Sequence, residues 1–250
     1  MARKIKIDNP VLKRFARDEQ KRQVGGLIIR KYFLIVCEGE KTEPNYFKAI
    51  KDTPPRGTMQ FIDIQGEGKN TLTLIEETVK IRERENRLNG KYYDQTWAVF
   101  DRDSFTEQNF NNAINKGEGL KNKVNCAWTN EAFELWYLLH LEFVNVAMSR
   151  DDYKPRIEGW LSQKAGISFK YAKNRPDMYN ILREFGNEEQ AVLWAEKLEG
   201  NYEDYEFANH NPCTKVHKLV IELNKLKIDR ERYAFQKCFL SVAHSGSVTL

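Results

Sequence analysis

Two apolar runs in this chain each stop at carboxylates. In FLIVCEGEKTEPNYF (residues 33–47) the run ends at Glu38, with Gly39, Glu40, Lys41, Thr42 and Glu43 behind it. In AVFDRD (98–103) it ends at Asp101 and Asp103, two positions apart. At the period of two of an extended strand these aspartates point to one side, where like charges repel unless a cation sits between them. Glu38, at the end of another strand, supplies a third oxygen. Three carboxylates without histidine or cysteine form a hard oxygen site, which suits Mg2+ or Mn2+ better than zinc. Such an ion binds substrate phosphate, so the chemistry indicated is phosphoryl transfer. Either motif alone is weak; their order on successive strands carries the argument.

Other residues join this set with two readings each. Glu43 either orients water or acts as a base from the first helical turn, or simply complements the helix dipole; Glu40 competes with it for the second acidic role. Lys41 meets a substrate phosphate or is a solvated loop lysine. Arg102, between the aspartates, should point the opposite way, as a structural or phosphate-positioning residue. Glu134 lies inside the apolar NEAFELWYLLH (130–140), where an acid is costly unless paired, and could close the metal site from beside the sheet. Glu131 reads as a helix-capping residue. His140 is either a core histidine or a general acid. GEGKN (66–70) resembles a phosphate cradle but lacks the full P-loop spacing, so ATP hydrolysis is not expected. Tyr153, Trp160, Phe169 and Tyr171, interleaved with Lys and Arg, read either as base-stacking aromatics or as ordinary packing.

The elements that must position these residues alternate. Strands are expected over 31–39, 59–66, 95–103 and 124–130, and helices over 42–51, 70–88, 105–119 and 131–143, with Thr42 as N-cap of the first. This alternation predicts an α/β fold: a mostly parallel, Rossmann-like sheet flanked by helices, which places its sites at the carboxyl ends of the strands. After residue 146 the pattern becomes helical (149–161, 178–200, 213–226). The expected organisation is a basic arm over 1–30, an α/β domain over 31–145 and a mostly helical extension over 146–250, packed on the core.

Composition narrows the class. The 250 residues are 41% hydrophobic and 12% aromatic, enough to build a core. Net charge is +4, with cations crowded into the first 31 residues, either a solvated arm or one that contacts phosphates. The four cysteines are scattered without a CxxC pair, which argues against structural zinc and for reduced thiols. No apolar run reaches membrane-spanning length, and no apolar stretch follows the basic MARKIKIDNP, so neither a membrane span nor a secretory leader is expected and the location is read as cytoplasmic.

LIVCEG followed some sixty residues later by AVFDRD resembles the Toprim domain of topoisomerases, primases and related nucleases. The resemblance is closer to RloB-like (abortive infection AbiL) proteins, in LIVCEGEKTEPNYF, VFDRD, TNEAFELWYLLH (129–140) and, more weakly, NPCTKVHKLV (211–220). It extends to the Toprim nucleases of the PARIS and OLD defence systems. What the resemblance implies is a Toprim-type nuclease effector of anti-phage defence, controlled by an ABC- or AAA-type ATPase, with Glu38, Asp101 and Asp103 holding Mg2+ or Mn2+. The implied substrate is nucleic acid: tRNA or other RNA, slightly favoured over DNA. A homo-oligomer is left open. The alternative is a non-catalytic Toprim-fold scaffold that binds its ATPase partner.

Overall fold

A computed structural model describes residues 31–52, 59–63, 71–102 and 105–225. The basic arm, the GEGKN stretch, Asp103, Cys238 and the last 25 residues lie outside the described residues.

The first strand, β1 (Phe33–Cys37), is buried along its whole length. Burial on both faces is what a central strand of a parallel sheet requires, and it explains a continuous apolar run in place of alternation. The chain continues through α1 (Thr42–Asp52), β2 (Met59–Asp63), α2 (Thr71–Asn89), β3 (Gln95–Asp101), α3 (Glu107–Gly119) and β4 (Asn125–Thr129). The four strands run parallel in the order β2-β1-β3-β4. The expected α/β architecture with a parallel sheet is therefore present.

This order creates the feature that matters for function. From β1 the chain steps outward to β2, then returns across β1 to form β3 on its other side. The order reverses between β1 and β3, and in open parallel sheets ligands settle in the crevice outside the carboxyl ends at such a point. Glu38 follows β1 and Asp101 ends β3, so the acidic ends of the two apolar runs flank that crevice.

Alternation along the strands sorts the core into two layers. Phe33, Ile35, Cys37, Trp97, Val99 and Ala127 face one side and pack with Tyr46, Phe47 and Ile50 of α1. Leu34, Val36, Ala98, Phe100, Cys126 and Trp128 face the other, against Leu74, Ile75 and Ile81 of α2 and Phe110, Ala113 and Ile114 of α3. Asp101 has the parity of Trp97 and Val99, so it points to the α1 side.

The later helices are α4 (Glu134–Leu139), α5 (Arg150–Ala165), α6 (Met178–Phe185), α7 (Glu188–Glu199) and α8 (residues 216–225). All contribute to the α1 layer, including Tyr153, Ile157, Leu182, Ala195 and Leu219. Local signals set their ends: a reciprocal Ser149–Asp152 capping box opens α5, and Gly166, with φ 67°, closes it. The helix expected over 178–200 is two, split at Gly186 and Asn187; the Asn187 side chain accepts from Gln190 N at 2.9 Å and starts the second.

A segment before α8 closes one sheet edge. Thr214 bridges Thr129 in antiparallel sense, Asn130 N donates to Cys213 O (2.9 Å) and Lys215 N donates to Trp128 O (2.7 Å). Among the described residues Cys37, Cys126 and Cys213 are buried, and no helix is long and apolar enough to cross a membrane.

Candidate functional site: a buried carboxylate cluster at the switch point

The turn after β1 brings the first acids into place. Glu38 N donates to Val99 O (2.9 Å), which ties the strand end to β3 and leaves the side chain half-buried. Gly39 has no Cβ for a specific reason: one built there would lie 2.2 Å from Glu43 Oε2 and 2.8 Å from its Cδ. The Glu43 carboxylate thus folds back over Gly39 from the first turn of α1. Glu40 is exposed and turned away, so of the two competing acids Glu43 is the one the fold brings inward.

Three carboxylates are buried together: Glu43 (5% exposed), Asp101 (8%) and Glu134 (5%). Burial penalises the charged form, and each acid adds repulsion to its neighbours. Burial is the largest influence on Glu43, opposed by its own backbone amide; with the charge of Glu134 added, its pKa is pushed from 4.5 to about 7. Burial likewise holds Asp101 well above the ordinary carboxylate range, with Glu43 acting next, then Glu134, and Glu38 last. Glu43 is therefore a helix-start carboxylate and also the strongest electrostatic neighbour of Asp101.

The hydrogen bonds of the cluster are incomplete. Asp101 Oδ2 accepts from Phe133 N (2.9 Å), but its buried Oδ1 has no hydrogen-bond partner. Glu134 Oε1 accepts from the Tyr171 hydroxyl (2.9 Å), and the Tyr137 hydroxyl donates to Thr42 O (3.3 Å). The Tyr153 hydroxyl is buried and unpartnered; burial raises its pKa, with smaller contributions from Glu131, Asp101 and Glu134. The cations acting most on Glu43 are Lys173 and Arg150.

Several expectations change here. Thr42 is not the N-cap of α1; it lies inside the helix and its hydroxyl donates to Lys173 O (3.1 Å). The helix expected over 131–143 is only the six residues of α4, because Glu131 takes a left-handed backbone (φ 67°) that no helix continues through. Glu131 therefore caps nothing and instead faces Arg102 at 4.0 Å, while Arg102 also reaches Glu107 at 3.5 Å. His140 is buried, with Nδ1 2.9 Å from Trp136 O and its ring edge-on to Trp136, the setting of a core histidine. Tyr153, Phe169 and Tyr171 are buried, and the half-buried Trp160 packs against the same core, so packing is the correct reading of these aromatics. Lys41 is exposed in the turn before α1.

Sequence reasoning missed Tyr171 as a partner of the acids. No local pattern links it to Glu134, 37 residues away. Among the described residues no group of three or more His, Cys, Asp or Glu side chains is drawn together so as to hold a metal ion. Asp103, one of the three expected ligands, is not among them.

Comparison with known proteins adds one positive finding. No curated protein and no solved structure matches the chain. The family model described as RloB-like protein matches residues 33–223, a span that begins at β1, ends in α8 and contains the whole carboxylate cluster. The chain belongs to the RloB-like protein family.

Proposed function

We propose that this chain is a Toprim-type, metal-dependent nuclease acting in bacterial anti-phage defence. The observation that carries the reading is the buried set Glu43, Asp101 and Glu134 at the β1/β3 switch point, with Asp101 Oδ1 left without a partner. Burying three acids together is costly, and two of them are driven toward their protonated forms. A hard divalent cation beside them would reverse that cost, and an all-oxygen donor set is the kind Mg2+ or Mn2+ accepts. Glu38, Asp101 and Asp103 would hold the ion, with Glu43 and Glu134 adjoining. When bound, the ion supplies charge neutralisation at a phosphodiester and lowers the pKa of water.

The protein's own groups do the remaining work. Phe133 N fixes one Asp101 oxygen and leaves the other, buried Oδ1, without a hydrogen-bond partner. Glu43, with its pKa near 7, is poised to accept a proton near neutral pH, where a general base is most effective. The Tyr171 hydroxyl keeps Glu134 oriented. Family membership supports the wider setting, abortive-infection defence; control by an ABC- or AAA-type ATPase partner and cleavage of tRNA, other RNA or DNA are part of the proposal.

The test is cleavage of labelled RNA and DNA by the wild type and Asp101→Asn, with Mg2+, with Mn2+ and with chelator. Cation-dependent cleavage lost by a factor of at least about 100 in the variant is expected, at an unchanged fold by circular dichroism. The alternative reading is a non-catalytic subunit that binds an ATPase. Wild-type inertness toward both nucleic acids, with and without the ATPase, would select it.

A further inference from the structure

The segment between α5 and α6 is tied directly to the cluster. Tyr171 sends its hydroxyl to Glu134 Oε1 (2.9 Å) from this segment. Two and three residues on, the carbonyls of Lys173 and Asn174 accept from Thr42 Oγ1 (3.1 Å) and Asn45 Nδ2 (3.2 Å), both at the start of α1. Arg175 then stacks over Phe169 (4.7 Å to the ring centre) and pairs with Asp177, closing the segment on itself. The backbone at Lys173 is thereby fastened to the same helical turn that carries Glu43.

The Lys173 side chain is exposed and, among the described residues, forms no ion pair. Its charge is nonetheless felt at Glu43, where it favours the ionised form. An exposed ammonium whose backbone is fastened to the turn that carries Glu43, and which forms no ion pair among the described residues, is the complement of an anion approaching that cluster. The need is physical: a site lined by Glu38, Glu43, Asp101 and Glu134 repels a phosphodiester unless cations at its edge offset the field. Lysine suits this role because its flexible stem delivers a compact point charge with three donors.

The geometry points to Lys173 as a substrate-anchoring residue that binds a backbone phosphate of RNA or DNA at the mouth of the carboxylate site. This rests on the nuclease reading above and adds to it a specific contact, supplied by a segment outside both acidic motifs.

The experiment uses the full chain with Lys173→Ala and Lys173→Arg. Binding of a 5′-labelled single-stranded RNA, and of a DNA of the same sequence, is followed by fluorescence anisotropy in chelator across a salt titration. Cleavage is followed separately with Mg2+ or Mn2+. Lys173→Ala is expected to melt with the wild type, to weaken binding about tenfold, and to lower the log–log salt slope by about one. Lys173→Arg is expected to restore both affinity and slope. The strand bound more tightly by wild type identifies the source of the phosphate. A Lys173→Ala protein whose affinity and slope equal those of an active wild type overturns this inference and leaves the nuclease reading standing. A wild type that neither binds nor cleaves either strand overturns both.

Discussion

Replacing Glu43 by glutamine isolates the electrostatic cost of the cluster. In the fold its pKa is about 7, against an ordinary 4.5, because burial and the charge of Glu134 disfavour the carboxylate. A group whose folded pKa is raised contributes stability that is fully present below the unfolded value and is lost as pH rises through the folded one. At about 1.4 kcal/mol for each tenfold change in proton affinity, that loss approaches roughly 3 kcal/mol above pH 8 and stays under about 1 kcal/mol at pH 5. Glutamine cannot ionise, so Glu43→Gln escapes the penalty while keeping the shape that lies over Gly39. Thermal melts in chelator should therefore show the variant gaining on wild type as pH rises from 5 to 8.5. The gain should be roughly 5–10 °C, since the loss grows by roughly 2.5 kcal/mol over that window and 1 kcal/mol moves the Tm of a chain this size by roughly 2–4 °C. Relief of repulsion at Asp101, which Glu43 also raises, acts in the same direction. A difference in Tm between variant and wild type that is the same at both pH values would refute the reasoning, as would one that shifts in favour of wild type at pH 8.5.

Two further outcomes follow from contacts in the same place. Gly39→Ala puts a methyl group 2.2 Å from Glu43 Oε2, so the carboxylate must move by about an ångström; the nucleic-acid cleavage proposed above should fall by at least about tenfold, with a loss of about 1–3 kcal/mol in urea unfolding. Tyr171→Phe removes the hydroxyl bonded to Glu134 Oε1, and denaturation should show a loss of about 1–3 kcal/mol because a buried acceptor is left unmet. A Tyr171→Phe protein as stable as wild type would mean that Glu134 finds another donor.

The sheet was readable in the sequence because β1 and β3 are buried on both faces, and such strands appear as unbroken apolar runs with abrupt ends. Those ends are Glu38 and Asp101, so the same signal located the strand ends and half of the acids; that they flank a switch point follows only from the strand order β2-β1-β3-β4. Glu43 was ambiguous because a first-turn acid serves a helix dipole equally well; only the packing of its carboxylate on Gly39 separates the two roles. The helix around Glu134 was drawn too long because nothing in TNEAF marks Glu131 as left-handed. The burial of Tyr153 in α5 was detectable: Tyr153, Ile157 and Leu161 recur every four residues, a helical core stripe that the flanking Lys and Arg obscure. The Tyr171–Glu134 contact depends on tertiary closure alone, and no spacing announces it.

The short antiparallel cover on β4 has a consequence for what the sheet border exposes. A parallel sheet ends in strands whose outer amides and carbonyls stand ready to recruit another chain. Residues 213–215 occupy those groups at Trp128 and Asn130, so the C-terminal half of the protein acts as a plug on one border of its own sheet. Shortening the chain before this segment would remove more than a peripheral helix. It would uncover a strand border rich in Cys126, Ala127 and Trp128, and the cost would be measured in self-association as well as in lost stability.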